Sequence, residues 1–179
     1  MENQVPSESV SRDESFVAYT LSRIQQDKGL AARLRRADNP VTEYQSWEFL
    51  AGFDIDLEQE HQRLPFVTIA AAMAKAKAQG NGVLRLGQAL AACYDDGSQS
   101  DQAKAKLRRI LACDMLPELC RVLRPVLSLI ESRVSQPLDY VRMLQQLRRF
   151  PFDAQRIKSQ WAQEFYGRQG AAFDGQEAQ

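Results

Sequence analysis

The chain has 179 residues, of which 44% are apolar and 26% charged, as expected for one globular domain or two small lobes sharing a core. No apolar run is long enough to span a bilayer, and the polar, acidic N-terminus is unlike a signal peptide, so we expect a cytoplasmic protein without membrane contact. The net charge is zero, but residues 41–60 hold six acids and no base, whereas residues 61–149 hold fourteen bases and seven acids, a net +7. This separation favours a negatively charged partner for the basic part.

Apolar residues recur at helical spacing from the beginning of the chain. The pattern predicts a first helix behind Asp13 and Glu14, an interruption at Gly29, and a second stripe that ends before Pro40. A short helix around Trp47 follows. These segments predict that the first part of the chain consists of amphipathic helices.

The same spacing continues to residue 167. Pro65 is predicted to be the first residue of a helix over 65–79, because proline at that position loses no internal hydrogen bond. Further helices are predicted over 84–94 and over 102–112, the second of them capped by Asp101, and another is predicted from Pro117 with a kink at Pro125. Two more are predicted over 138–150 and 154–167, the last one capped by Asp153. No segment shows the alternation of a strand.

The fold class predicted from this pattern is all-α, a helical bundle of about eight or nine helices, with the segment 95–101 as a possible break between two lobes. From the N-terminus, the expected organisation is a flexible tail over 1–10, an N-terminal helical lobe over 11–98, a C-terminal helical lobe over 99–168, and a flexible tail over 169–179.

Signatures of catalysis are absent from the sequence. His61 is the single histidine, so its ExxH spacing with Glu58 cannot be completed into a di-iron site. Cys93, Cys113 and Cys120 form no CxxC pair and are interpreted as small core residues. We therefore expect no catalytic residues, no metal site, no cofactor and no enzymatic activity.

The segment 102–112 is the most informative basic helix. Its apolar residues fall on one face, and four bases flank that face in two pairs, Lys104 with Arg108 and Lys106 with Arg109. No acid lies among them, although like charges at these spacings repel and a merely solvated helix normally alternates bases with glutamates. The arrangement favours an anionic ligand.

The stretch AARLRRADNP, residues 31–40, has the same character, with Arg33, Arg35 and Arg36 within four residues. Arginine suits bidentate contact with phosphate, and aromatic residues are not interleaved with the bases, so backbone contact is favoured over base stacking. The residues alone leave three interpretations open. The chain binds a phosphate backbone without reading sequence, or it is a helical adaptor whose basic face binds an acidic protein, or its basic surface is merely solvated.

Seven segments, taken in order, resemble the CasB family, the small subunit of the type I-E CRISPR interference complex called Cascade. The segments are LRRA at 34–37, the aromatic segment around Trp47, LGQALA at 86–91, LRRILACD at 107–114, ELCRVLRPVLSLI at 118–130, PLDYVRMLQQL at 137–147 and IKSQWAQEFYG at 157–167. Each is a plain amphipathic helix, but the ordered set in a chain of this length is specific. The acidic stretch at 54–60 and both tails are less typical of the family.

The resemblance implies a noncatalytic, all-helical subunit that dimerises within the complex. It implies contact with the backbone subunits that hold the guide RNA and with the large subunit. It also implies that the basic surface holds the target and the displaced DNA strands of the R-loop during antiviral defence. Such a role suits a sequence-blind phosphate track, because base pairing with the guide already supplies the sequence.

The candidate nucleic-acid-binding residues rest on the resemblance, on charge pattern, or on both. Arg35 and Arg36 match a basic pair of the family, and its central basic helices are matched by Arg108, Arg109, Arg121 and Arg124. Charge and placement alone add Arg33, Arg63, Lys75, Lys77, Arg85, Lys104, Lys106 and Arg142. Aromatic residues at family positions are interpreted as core packing: Trp47, Tyr140, Trp161, Phe165 and Tyr166.

Overall fold

A computed structural model describes residues 10–167 of the chain. These residues form eight α-helices: α1 Arg12–Gln26, α2 Lys28–Arg36, α3 Trp47–Ala51, α4 Glu60–Lys75, α5 Leu86–Ala92, α6 Asp101–Leu111, α7 Leu116–Arg133 and α8 Tyr140–Tyr166. Within the described part, the β-type pairing is a single bridge between Leu84 and Leu138. The prediction of an all-α helical bundle is confirmed. The predicted flexible tails lie outside the described residues, apart from Val10.

The break between the first two helices lies at Asp27, and the prediction that Gly29 makes it was wrong. Asp27 has an extended backbone, with φ −121° and ψ 99°, and its side chain accepts a hydrogen bond from the N–H of Leu30. It therefore caps α2, and Gly29 lies inside the first turn of that helix. Lys28 is therefore the first residue of α2.

The central helix α4 begins at Glu60, five residues before the predicted first residue, and runs through Pro65. It ends at Lys75 because Lys77 takes a left-handed conformation with φ 48°. The N–H of Ala78 then donates to the carbonyl of Met73 at 3.0 Å, the closing bond of a Schellman motif. The predicted extension of this helix to residue 79 was therefore wrong.

The loop after α4 is tied to the beginning of α8. The side-chain oxygen of Asn81 accepts from the N–H of Tyr140 at 2.7 Å, and Asp139 caps the same helix end by accepting from the N–H of Arg142. Gly82 has no substitute here, because a Cβ would lie 1.8 Å from the carbonyl oxygen of Pro137. Asn81 and Gly82 therefore serve to pack this loop against the beginning of α8.

The predicted division of the last helical region at Asp153 is confirmed as an interruption of α8. Asp153 has non-helical φ −145° and ψ 42°. Across this break the indole N–H of Trp161 donates to Gln146 at 2.9 Å, and Gln146 donates to Gln160 at 3.0 Å. These hydrogen bonds satisfy polar groups in the interior and hold the two halves of α8 together.

The core surrounds α4, which packs against α2, α7 and α8. Apolar side chains on both sides of the segment 95–101 belong to one buried cluster, and the lobe boundary stays a prediction. At the end of this segment Ser100 caps α6 and Asp101 is the first residue of that helix, so the prediction that Asp101 caps it was wrong. Helix α5 lies close to α8 at Gly87, where a Cβ would be 2.4 Å from the carbonyl oxygen of Trp161. None of the described helices is both long and apolar enough to cross a membrane.

Most of the predicted core residues are buried. The three cysteines, Cys93, Cys113 and Cys120, are buried as expected, and so are Tyr140, Trp161 and Phe165. The prediction was wrong for Trp47 and Tyr166, which are 41% and 52% exposed. Both lie at helix ends, where part of an aromatic ring is not covered by a neighbouring helix.

Candidate nucleic-acid interface

The last turn of α2 carries Arg33, Arg35 and Arg36. Leu34 is buried against the core, while Arg35 and Arg36 are exposed and Arg33 is half-buried. Arginines in the last turn also complement the negative end of the helix dipole, which offsets part of their mutual repulsion. The pKa of Asp27 is lowered, first by its hydrogen bond from the N–H of Leu30 and to a smaller extent by Arg33, so Arg33 has an acidic neighbour.

Helix α6 presents its bases as the sequence predicts. Its buried side chains are Ala103, Leu107 and Ile110. Arg108 and Arg109 are exposed, and Lys104 and Lys106 are half-buried along the borders of the apolar face. The helix is thus anchored by one face, and after Asp101 in its first turn all of its charged side chains are basic.

Ten of the fourteen candidate bases have no acidic partner within residues 10–167, since no carboxylate oxygen there lies within 4.0 Å of their charged nitrogen atoms. They are Arg33, Arg35, Arg36, Lys77, Arg85, Lys104, Lys106, Arg108, Arg109 and Arg121. We call these ten the unpaired bases. Their charge is not balanced by a direct ion pair with the described part of the chain.

The other four candidates are held by carboxylates, and we call them the paired bases: Arg63, Lys75, Arg124 and Arg142. Arg142 donates from Nη2 to Oε1 of Glu164 at 2.8 Å and from Nε to the same oxygen at 3.1 Å. The other oxygen of Glu164 accepts from the N–H of Gly87 at 3.3 Å. This buried carboxylate therefore joins α5 to both halves of α8.

The remaining paired bases use acids from residues 38–43. Arg63 donates from Nε to Glu43 and from Nη1 to the carbonyl of Leu57, each at 2.5 Å. Glu43 is the buried member of the acidic strip at 41–60, so the strip supplies a partner to α4 and, among the described residues, none to the arginines of α2.

Asp38 is shared by two bases from different helices. Lys75 of α4 forms a hydrogen-bonded ion pair with it, and Nε of Arg124 from α7 lies 3.7 Å from its second oxygen. The carboxylate thereby links the end of α2 to α4 and α7. A phosphate would reach any of the four paired bases only by competing with a carboxylate already in place.

Lys28 is a functional candidate that the reasoning from sequence missed. It lines a cleft of about 470 Å³ together with Arg35 and Lys77. The signal that was available is the spacing of seven between Lys28 and Arg35, which places both on one face of a helix. Treating Gly29 as a helix break hid that relation.

Candidate nucleophiles and metal ligands are poorly disposed for chemistry. Burial raises the pKa of the Cys93 and Cys113 thiols, and raises the pKa of Cys120 to about 11. A buried thiol with a raised pKa is a weak nucleophile because the thiolate is scarce. In the part of the chain that the structure covers, no group of histidine, cysteine and acidic residues is placed to hold a metal ion.

A family model described as "CRISPR-associated protein Cse2" matches residues 30–166. The chain belongs to the Cse2 family. The family match, together with the likeness to solved CasB and Cse2 proteins given below, confirms the resemblance stated above. The matched residues include the basic end of α2 and all of α6. No curated protein matches the chain.

Solved structures have the same fold at low sequence identity. A CasB protein from M. ruber has a TM-score of 0.70 at 24% identity, with 88% of this chain and 94% of that chain covered. A Cse2 family protein from Thermus thermophilus has a TM-score of 0.66 at 24% identity, with coverages of 87% and 97%. A chain of a CRISPR RNA-guided surveillance complex has a TM-score of 0.67 at 21% identity, with coverages of 86% and 89%.

Proposed function

We propose that this Cse2 protein is a noncatalytic small subunit of a type I-E Cascade complex that binds the phosphate backbone of nucleic acids without reading their sequence. In this role it stabilises the R-loop by holding the target and the displaced DNA strands. The observation that carries the proposal is the set of ten unpaired bases on the surface of an all-α subunit.

The physical basis is that R-loop formation exchanges one duplex for another of similar stability, so backbone contacts tip the balance. Seven of the unpaired bases are exposed and six of those seven are arginine. Charge-assisted contacts from arginine to phosphate are among the strongest polar contacts on a protein surface. A sequence-independent complex follows, since no base edge needs to be read.

A noncatalytic role is supported by the chemistry of the described side chains. The thiols are buried, with raised pKa values, and His61 is exposed at the beginning of α4. A second imidazole for general acid and base catalysis does not exist in the sequence. Strand cleavage would then belong to another component of the system.

The partners proposed with this function are the backbone and large subunits of the complex, its guide RNA, both DNA strands and a second copy of this chain. Family membership and the likeness to a chain of a surveillance complex support them. The chain would act in the cytoplasm, where such a complex meets invading DNA. Co-purification of this chain with the other subunits and a guide RNA tests the assembly directly.

The alternative function is that of a helical adaptor whose basic face binds an acidic protein. Five acids of the strip are exposed and supply one such surface on another copy: Glu48, Asp54, Asp56, Glu58 and Glu60. Both functions depend on salt, so salt alone does not separate them. Binding to an oligonucleotide of arbitrary sequence separates the two functions, because an adaptor specific for an acidic protein surface is not expected to bind one.

The decisive experiment measures the affinity of the purified chain for a mixed-sequence single-stranded oligonucleotide at several salt concentrations. We expect the slope of log K against log salt to increase by roughly 0.7 in magnitude for each phosphate neutralised. Replacing Arg108 and Arg109 with alanine should weaken binding by about tenfold or more if each makes a charge-assisted contact. A flat slope for the wild type contradicts the proposal.

A matched control removes the same charge elsewhere. Arg149 and Arg156 are exposed and lie outside the candidate set, and Arg156 has one exposed acidic partner, Asp153 at 3.9 Å. Arg149→Ala with Arg156→Ala also lowers the net charge by two. Binding should be nearly unchanged in this control. Equal weakening in both double variants would mean that net charge alone matters and that α6 is not a specific contact surface.

A further inference from the structure

The cleft between α2 and the end of α4 combines three cations with an apolar floor. Lys28, Arg35 and Lys77 line it, and no acidic side chain does. Its remaining lining residues are the apolar Ile24, Ala31, Ala74 and Ala78 and the amides Gln25 and Gln79. The volume of about 470 Å³ is sufficient for a group larger than an ion.

Two of the three cations occupy positions that the local backbone disfavours. Lys77 is left-handed with φ 48°, at the helix-terminating position where glycine is the usual residue. Lys28 is the first residue of α2, where the helix dipole disfavours a positive charge. Folding therefore gains nothing from a lysine at either place. Lys28 and Lys77 nevertheless line the same cleft, as expected where binding of a ligand requires their charge.

The wall that carries Lys77 is held in place. The side-chain amide of Gln25 donates to the carbonyl of Gln79 at 3.3 Å and to that of Ala78 at 3.5 Å, which ties this loop to α1. The amide of Gln79 donates to the carbonyl of Lys77 at 3.0 Å. With the bond from Ala78 to Met73, these contacts fix the backbone that presents the lysine.

We propose that this cleft binds one nucleotide of a nucleic-acid strand, with its phosphate shared by Lys28, Arg35 and Lys77 and its sugar lying on the apolar floor. The inference rests on the proposed function. It adds a defined nucleotide-binding site to a surface that is otherwise described only by its charge. The phosphate supplies the anion that the three cations lack. The alanines and Ile24 supply a surface on which a sugar or base excludes water.

The test uses the full chain and a fluorescent mixed-sequence single-stranded oligonucleotide. Lys77→Gly should weaken binding by about tenfold, the effect of one charge-assisted contact. The same variant should melt at a Tm roughly 2 °C higher, because glycine relieves the left-handed strain. A simple loss of folding cannot produce weaker binding together with a higher Tm. A Tm below that of the wild type, or unchanged binding, would overturn the proposal.

The salt dependence separates one shared phosphate from three separate contacts. In the triple variant Lys28→Ala, Arg35→Ala and Lys77→Gly, one lost phosphate contact lowers the slope of log K against log salt by about 0.7 in magnitude. Three independent phosphate contacts would lower the slope by about 2 in magnitude and would contradict the proposal that the three cations share one phosphate. The control is Arg149→Ala, an exposed base that does not line the cleft, and its slope should be unchanged.

Failure of this inference is distinguishable from failure of the proposed function. If the wild type binds no oligonucleotide, both the proposed function and the nucleotide-binding site in the cleft are contradicted. If the wild type binds and Arg108→Ala with Arg109→Ala weakens it, while Lys28→Ala and Lys77→Gly have no effect, the cleft is not a nucleotide-binding site but backbone binding stands.

Discussion

Arg108 and Arg142 are both arginines on amphipathic helices, and the charge pattern of the sequence makes both candidates for nucleic-acid binding. In the structure they have different surroundings. Arg108 is exposed on α6 without an acidic partner in the described residues, whereas Arg142 is fixed to a carboxylate in the interior. The difference extends to the unpaired and the paired bases as groups. A basic residue is informative about a ligand only after the acids brought near it by the fold are known.

The largest effect expected from this comparison is on stability, at a paired base. Arg142→Ala leaves the carboxylate of Glu164 in the interior without its ion pair, and the side chain of Glu164 is only 4% exposed. We expect a loss of roughly 3 kcal/mol in the free energy of unfolding. Chemical denaturation measures it.

The matched variant for this pair is Arg142→Ala combined with Glu164→Gln. Because the glutamine carries no charge, the double variant should recover a large part of the lost stability and show strong coupling in a double-mutant cycle. A loss below about 1 kcal/mol for Arg142→Ala would mean that the pair is screened by solvent and that Arg142 belongs with the unpaired bases.

The next effect concerns Arg63. Its replacement with alanine removes the ion pair with the buried Glu43 and the hydrogen bond to the carbonyl of Leu57. We expect a loss of about 2 kcal/mol in unfolding free energy, with oligonucleotide affinity changed only by the loss of one charge. A full loss of binding in a variant that still melts like the wild type would instead place Arg63 on the nucleic-acid surface.

Smaller effects are expected at the shared carboxylate of Asp38. Lys75→Ala and Arg124→Ala should each cost about 1 kcal/mol, because the other base remains beside Asp38. The double variant should cost more than the sum of the two, since only then is the half-buried carboxylate left alone. Additive losses would show that the two bases do not share the acid.

The sequence was sufficient for the fold class and for the faces of the helices, because helical spacing is a local property. Leu107 and Ile110 were correctly placed inside and Arg108 outside on this basis. Asp153 was correctly placed at an interruption between two helical segments, because such a position depends on the backbone of a few neighbouring residues.

The partners of the bases could not be predicted in the same way. Glu164 lies 22 residues from Arg142, and Asp38 lies 37 residues from Lys75, so neither pair is within helical reach. Such pairs form only when the core brings distant helices together. The exposed ring of Trp47 has the same origin, because burial depends on which helix covers it.

One variant tests the distinction between unpaired and paired bases most directly: the double variant Arg35→Ala with Arg36→Ala. Its thermal melting and the lifetime of its R-loop are measured on the same protein preparation. Both side chains are exposed, and alanine is the better helix former while two charges at the end of α2 are lost. We expect the unfolding free energy to change by less than about 0.5 kcal/mol. In the reconstituted complex the R-loop should form more slowly or dissociate faster, with guide-RNA loading intact. A lower Tm, with R-loop lifetime changing only in step with the lost fold, would contradict it.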